Sequence, residues 1–139
     1  MKDFGVLFCD GGSRGNPGPG AAGAVLYKED GSLLAGQGKF LGKVTNNWAE
    51  YQGVLLGLEL ARRYKQSRLK IHLDSELVVR QLGGQYRVKD ANLRILWGEV
   101  QQALKHFVAH EVLHIPREQN AAADRLVNET LDRHLTKQA

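Results

Sequence analysis

Four acidic residues, Asp10, Glu50, Asp74 and Asp124, fall at expected strand ends or helix starts. Asp10 follows the apolar run over residues 4–9, and Asp74 follows the run over residues 69–73. In open α/β sheets, chemistry gathers at the carboxyl ends of strands. If these two strands are parallel neighbours, about 4.8 Å apart, their carboxylates lie close together. Like charges at that range raise one another's pKa or take a cation between them. A ligand set made only of oxygens favours Mg²⁺ or Mn²⁺ over zinc. Glu50 is expected in the first turn of a helix. Gly53 and Gly57 follow on a nearby face, where missing side chains let that helix approach the sheet. Asp124 is expected in the first turn of the last helix, four residues beyond Asn120. Each acid alone also fits an ordinary role: a turn cap for Asp10 or Asp74, a capping-box acid for Glu50, a helix-start charge for Asp124. Spacing by itself leaves their convergence open.

The elements that must carry these acids follow from periodicity. Residues 4–9 run continuously apolar and read as a strand buried on both faces. Residues 11–20, rich in Gly and Pro, read as a loop. Residues 21–28 and 33–41 form a hairpin turning at Glu29-Asp30-Gly31-Ser32. Asn46 or Asn47 caps a helix running to about Tyr64, with Val54, Leu58 and Ala61 at helical spacing. A strand over 69–73 stops at Asp74-Ser75-Glu76, where a short helix begins and continues to Leu82. Residues 92–107 read as a helix, 108–115 as a strand, 116–119 as a loop, and 120 to about 134 as the final helix. Three strands, a helix, a strand, two helices, a strand and a helix predict a mixed sheet covered by helices. With no repeat, linker or low-complexity segment, residues 1–139 read as one domain.

Composition narrows the classes. No apolar run approaches the roughly 20 residues of a membrane helix. The start of the chain lacks the features of a secretion signal, so a cytoplasmic protein is expected. The single cysteine, Cys9, excludes an intrachain disulfide and a cysteine-based zinc site, and reads as a buried, inert thiol. A net charge of +4 suits a polyanionic partner without identifying one.

Read together, four segments carry a family resemblance. They are Asp10-Gly11-Gly12-Ser13-Arg14-Gly15-Asn16-Pro17-Gly18, Thr45-Asn46-Asn47 with Ala49-Glu50, Leu73-Asp74-Ser75, and Asn120 with Asp124. In order and spacing they resemble the motifs of type 1 ribonuclease H, in its archaeal-like form, over nearly the whole chain. The resemblance implies a ribonuclease H-like α/β fold, a five-stranded mixed sheet of order 3-2-1-4-5 flanked by helices. It implies an endoribonuclease that hydrolyses the RNA strand of RNA–DNA hybrids with two Mg²⁺ or Mn²⁺ ions held by Asp10, Glu50, Asp74 and Asp124. One ion would activate water and the other stabilise the leaving 3′ oxygen, with Asp10 as the bridge, giving 5′-phosphate and 3′-hydroxyl ends. It further implies that Gly11, Ser13, Asn16, Asn46 and Asn47 read the hybrid in its minor groove, with Thr45 and Asn16 at a DNA-strand phosphate.

The chain departs from better-known members in three places. Only residues 84–90 separate the second and third helices, so the basic, Trp-rich protrusion that grips the hybrid is missing. A Gly-His loop before the last acid is replaced by Pro116-Arg117-Glu118-Gln119. Arg117 is therefore expected at the scissile phosphate in preference to His114, which reads as an ordinary strand residue. Glu76 stands where Gln is common. Arg87, Lys89 and Arg94 are candidate phosphate contacts, while Trp48 and Trp97 are expected to pack. Activity on double-stranded RNA is an open extension. A catalytically silent hybrid-binding module is the alternative of another class, disfavoured by four retained acids in a basic chain. A phosphate-cradling nucleotide loop is excluded, because no Gly-Lys-Ser/Thr follows the glycines and Pro17 and Pro19 remove backbone donors. Nothing in the sequence suggests more than a monomer.

Overall fold

The computed structural model of the chain describes residues 3–137. Strands β1 (Gly5–Ser13), β2 (Gly18–Tyr27) and β3 (Leu33–Val44) form an antiparallel meander, and α1 (Asn46–Arg63) follows. Then come β4 (Arg68–Leu73), α2 (Glu76–Leu82), α3 (Ala91–Leu104), β5 (Ala109–His114), a 3₁₀ turn (Arg117–Asn120) and α4 (Ala121–Lys137). Strands β1, β4 and β5 pair in parallel, and the sheet order is β3-β2-β1-β4-β5, as expected. No helix among the described residues is long and apolar enough to cross a membrane.

Side-chain alternation divides β2 between the two faces of the sheet. Ala22, Ala24 and Leu26 join Leu7 and Cys9 in the core under α1, whereas Ala21 packs with Val127 and Leu131 of α4. Both faces are covered there, which is why residues 20–26 are buried without interruption. Cys9 is buried as expected, and burial pushes its thiol well above the ordinary range, leaving it inert as a nucleophile.

The strand ends near the site differ from the sequence reading. Most of the loop expected over residues 11–20 is strand, because Gly11, Gly12 and Ser13 pair with Ala22, Ala21 and Gly20. Thr45, rather than Asn46 or Asn47, caps α1, its Oγ1 accepting from the Trp48 N–H at 3.2 Å. Asn46 and Asn47 are thereby the first helical residues, and Glu50 falls in the second turn rather than the first. The close approach anticipated for Gly53 and Gly57 is present. A Cβ at Gly53 would collide with the Asp10 carbonyl, and one at Gly57 would lie 2.6 Å from Cys9 Sγ.

Candidate active site

The β1–β4 register pairs Phe8 with His72, and the same offset carried two residues on sets Asp10 opposite Asp74. Glu50 reaches this point because α1 crosses the end of β1 at the glycine contact. Asp124 reaches it from the first turn of α4. Asp10 and Asp124 line the same hollow, and the charge of Asp124 bears on Asp10. Ser75, whose hydroxyl accepts from the Val78 N–H at 3.3 Å, lies with Glu50 and Asp74 in one hollow, where it favours ionised Glu50. All four acids therefore belong to one connected cluster. They line two adjoining hollows: a tight one with Asp10, Glu50 and Asp74, and an open one of about 170 Å³ with Asp10 and Asp124.

The cluster is electrostatically frustrated. Burial, followed by the charge of Asp74, pushes Asp10 up to about 8, against a hydrogen bond from the Gly11 N–H and with a further push from Asp124. Burial pushes Glu50 up to about 7, opposed by the Ser75 hydroxyl, and raised again by Asp74. The charge of Arg117 also favours ionised Glu50. A divalent cation is the ordinary remedy for such a set. The donors fit one: the two hollows are lined by the carboxylates of Asp10, Glu50, Asp74 and Asp124, an all-oxygen set. Among the described residues no three acid, His or Cys side chains are already gathered closely enough to hold one ion.

The expected substrate-reading residues divide between two grooves. Gly11, Ser13, Asn46 and Arg117 line the open hollow with Asp10 and Asp124. Asn16, Thr45 and Asn47 line a broader neighbouring groove of about 640 Å³ with Lys43 and Trp48. A hydrogen-bond chain joins them. Asn46 Oδ1 accepts from the Ser13 N–H and hydroxyl at 2.9 and 3.1 Å, and the Asn46 N–H donates to Asn16 Oδ1 at 3.0 Å. With both side-chain oxygens engaged, the Nδ2 donors of Asn16 and Asn46 have no partner among the described residues. His114 ends β5, exposed, and lines neither hollow of the acid cluster.

Two expectations outside the cluster need correction or narrowing. Arg94 is not a free phosphate contact: its guanidinium donates to the carbonyls of Val88 and Lys89 at 3.1 to 3.4 Å, bracing the short α2–α3 connector. Glu76 is held by Arg80 at 2.9 Å. Trp97 packs as expected, its indole N–H donating to Gln81 O at 3.0 Å, while Trp48 both packs and borders the broad groove. Two residues carry roles that sequence alone hid. In the sequence Ser75 and Asn120 stand out only as members of their motifs, beside Asp74 and Asp124. Asn120 is in fact buried, with Nδ2 donating to Cys9 O at 2.9 Å and to Asp74 Oδ2 at 3.1 Å.

A sheet of this order with acids from β1, α1, the residue following β4, and α4 meeting at one end defines the ribonuclease H-like class of α/β protein. A family model described as reverse transcriptase-like matches residues 8–130. The chain belongs to this family, among the type 1 ribonucleases H. A bifunctional protein of Mycobacterium tuberculosis is 39% identical over 91% of the chain. The solved structure of its N-terminal RNase H domain superposes with a TM-score of 0.94 at 37% identity, covering 99% of this chain and all of that one. Ribonuclease HI of Halobacterium salinarum is 40% identical over 90% of the chain, and its crystal structure gives a TM-score of 0.90 at 38% identity, over 96% of this chain and 99% of that one. An RNase H1 solved in complex with an RNA/DNA hybrid gives 0.90 at 37% identity, over 94% of this chain and 99% of that one. The chain spans 35% of the mycobacterial protein's length and 63% of the haloarchaeal one's. Divalent metal ions are the general cofactor of the family.

Proposed function

We propose that this chain is an endoribonuclease hydrolysing the RNA strand of RNA–DNA hybrids, acting as a single ribonuclease H domain with two Mg²⁺ or Mn²⁺ ions. The observation that carries the reading is the convergence of Asp10, Glu50, Asp74 and Asp124 beside a groove bordered by Arg117 and Asn46. Asp10, Glu50, Asp74 and Asp124 would hold the ions, with Asp10, which faces both hollows, shared between Glu50 and Asp74 on one side and Asp124 on the other. When bound, such ions supply an activated water and neutralise charge on the leaving 3′ oxygen. Hydrolysis adds one water across the P–O3′ bond: its oxygen goes to phosphorus, and a proton goes to the departing 3′ oxygen. The products carry 5′-phosphate and 3′-hydroxyl ends.

The chain's own groups supply position and recognition. Arg117 faces the groove from the 3₁₀ turn and holds the scissile phosphate. Gly11, Ser13 and the free Nδ2 donors of Asn46 and Asn16 meet sugar and base-edge acceptors in the wide minor groove, with Asn47 alongside. Thr45, Asn16 and Lys43 border the neighbouring groove, where a DNA-strand phosphate fits. The protein is expected to act in the cytoplasm as a monomer. The direct test is cleavage of a labelled RNA–DNA hybrid with Mg²⁺ or Mn²⁺, followed by end analysis. Cleavage that persists undiminished in EDTA, or in Asp10→Asn, removes the metal mechanism.

A further inference from the structure

We infer that Asn120 is a positioning residue that holds three of the four acids in register through one buried side chain. The inference rests on the reading of those acids as the metal site. Asn120 is 1% exposed and begins the approach to α4 one helical turn before Asp124. Its Nδ2 has two hydrogens and uses both. One goes to the carbonyl of Cys9, adjacent to Asp10, and the other to the Asp74 carboxylate. Both partners are acceptors at these atoms, so the amide is fixed in one orientation; a flipped amide would set oxygen against two oxygens. One side chain therefore pins the end of β1, the first residue after β4 and the start of α4 together.

The other end of the amide makes the case sharper. Asn120 Oδ1 is buried and accepts no hydrogen bond from a described residue. A buried acceptor left unpaired weakens the fold. A position occupied only for packing is better filled by Leu or Met of similar volume. The amide is retained for its donors, which fix the rotation of the Asp74 carboxylate. Partners that orient metal ligands in this way affect metal affinity or activity by about 10- to 100-fold.

The test compares the parent chain with Asn120→Ala and with Asn120→Asp, which keeps the volume but replaces a donor by an acceptor. Mn²⁺ binding is measured by titration calorimetry, and hybrid cleavage by kcat and KM. Both variants are expected to raise the Mn²⁺ dissociation constant at least tenfold and lower kcat by a similar factor. KM for the hybrid is expected within about twofold of the parent, since Asn46 and Asn16 are untouched. A folded variant with parental Mn²⁺ affinity and kcat overturns the inference. In the unmodified, metal-free protein, the Asn120 side-chain amide protons are expected to exchange slowly with solvent by NMR. Rapid exchange overturns the inference even where a variant fails to fold. A parent that binds Mn²⁺ yet cleaves no hybrid strikes the proposed function instead, leaving the NMR result to judge the tether.

Discussion

Asp10 carries an unusual electrostatic load, and two measurable consequences follow. Its folded pKa of about 8 lies above the ordinary 3.8, so between those values the metal-free fold holds a proton that the unfolded chain gives up. Stability of the metal-free protein therefore falls as pH rises from about 4 to about 8, and Glu50 adds to the fall between 4.5 and about 7. Asp10→Asn is expected to abolish hybrid cleavage yet stabilise the metal-free protein by about 1–3 kcal/mol at pH 9, with little gain at pH 4. Thermal melts in EDTA at the two pH values check this; equal melting of parent and variant at pH 9 contradicts it. Mn²⁺ must displace the same proton, so its apparent affinity is expected to climb through pH 7 to 8. Arg117 and His114 differ in kind. Arg117→Ala is expected to lower kcat at least tenfold through loss of a phosphate contact, whereas His114→Ala keeps the parental rate. Steady-state kinetics on one hybrid substrate decides between them, and the reverse ranking gives the auxiliary role to His114.

At the scale of elements, glycine contacts set how closely α1 approaches β1, and hence where Glu50 stands. A Cβ at Gly53 meets the rigid backbone of Asp10, whereas one at Gly57 meets the side chains of Cys9 and Leu7, which have some freedom to move. Gly53→Ala is therefore expected to cost more than Gly57→Ala, at least about 2 kcal/mol by urea denaturation, and to lower cleavage by shifting Glu50. Gly98→Ala in α3, where a Cβ has nothing within 4 Å, is expected to stabilise by about 0.5–1 kcal/mol. A larger loss at Gly57 than at Gly53 removes the backbone argument. These glycines were legible in the sequence because helical spacing next to an acid is a local pattern. The strand ends at Asp10 and Asp74 were legible too, since apolar runs stop there. What stayed hidden depends on partners distant in sequence. Gly11 to Ser13 are strand only because Gly20 to Ala22 lie alongside them, and glycine has little strand preference of its own. Thr45 took the cap from the neighbouring asparagines, which left both inside α1 at the groove edges. The tether of Asn120 spans from residue 120 to residues 9 and 74, and no local spacing marks such a contact.

For the whole molecule, the question is how a hybrid is held without the basic protrusion. Four of the 15 acidic residues are gathered at the site, so the remaining surface is more positive than the net charge of +4 suggests. Such a surface attracts any polyanion, through counterion release rather than through recognition. Discrimination must come from directional groups in the groove, and the free Nδ2 donor of Asn46 is the best placed, beside Ser13 and next to the acids. Two variants separate these contributions. Lys43→Ala, at the edge of the broad groove, is expected to weaken hybrid, RNA–RNA and DNA–DNA duplexes alike and to make log K less steep against log salt by about 0.7–0.9, the share of one phosphate contact. Asn46→Ala is expected to weaken the hybrid about tenfold, the loss of one or two hydrogen bonds. It should leave DNA–DNA affinity and the salt slope as they are. Fluorescence titrations over a salt series, with metal replaced by Ca²⁺ to suppress cleavage, give both numbers for each duplex. Equal loss on all three duplexes in Asn46→Ala means that the groove reads shape and charge alone. The choice of RNA strand then rests wholly on the metal-bearing acids, and double-stranded RNA becomes an expected second substrate. A loss confined to duplexes with a ribose strand in the groove instead makes Asn46 the residue through which this small basic fold tells RNA from DNA.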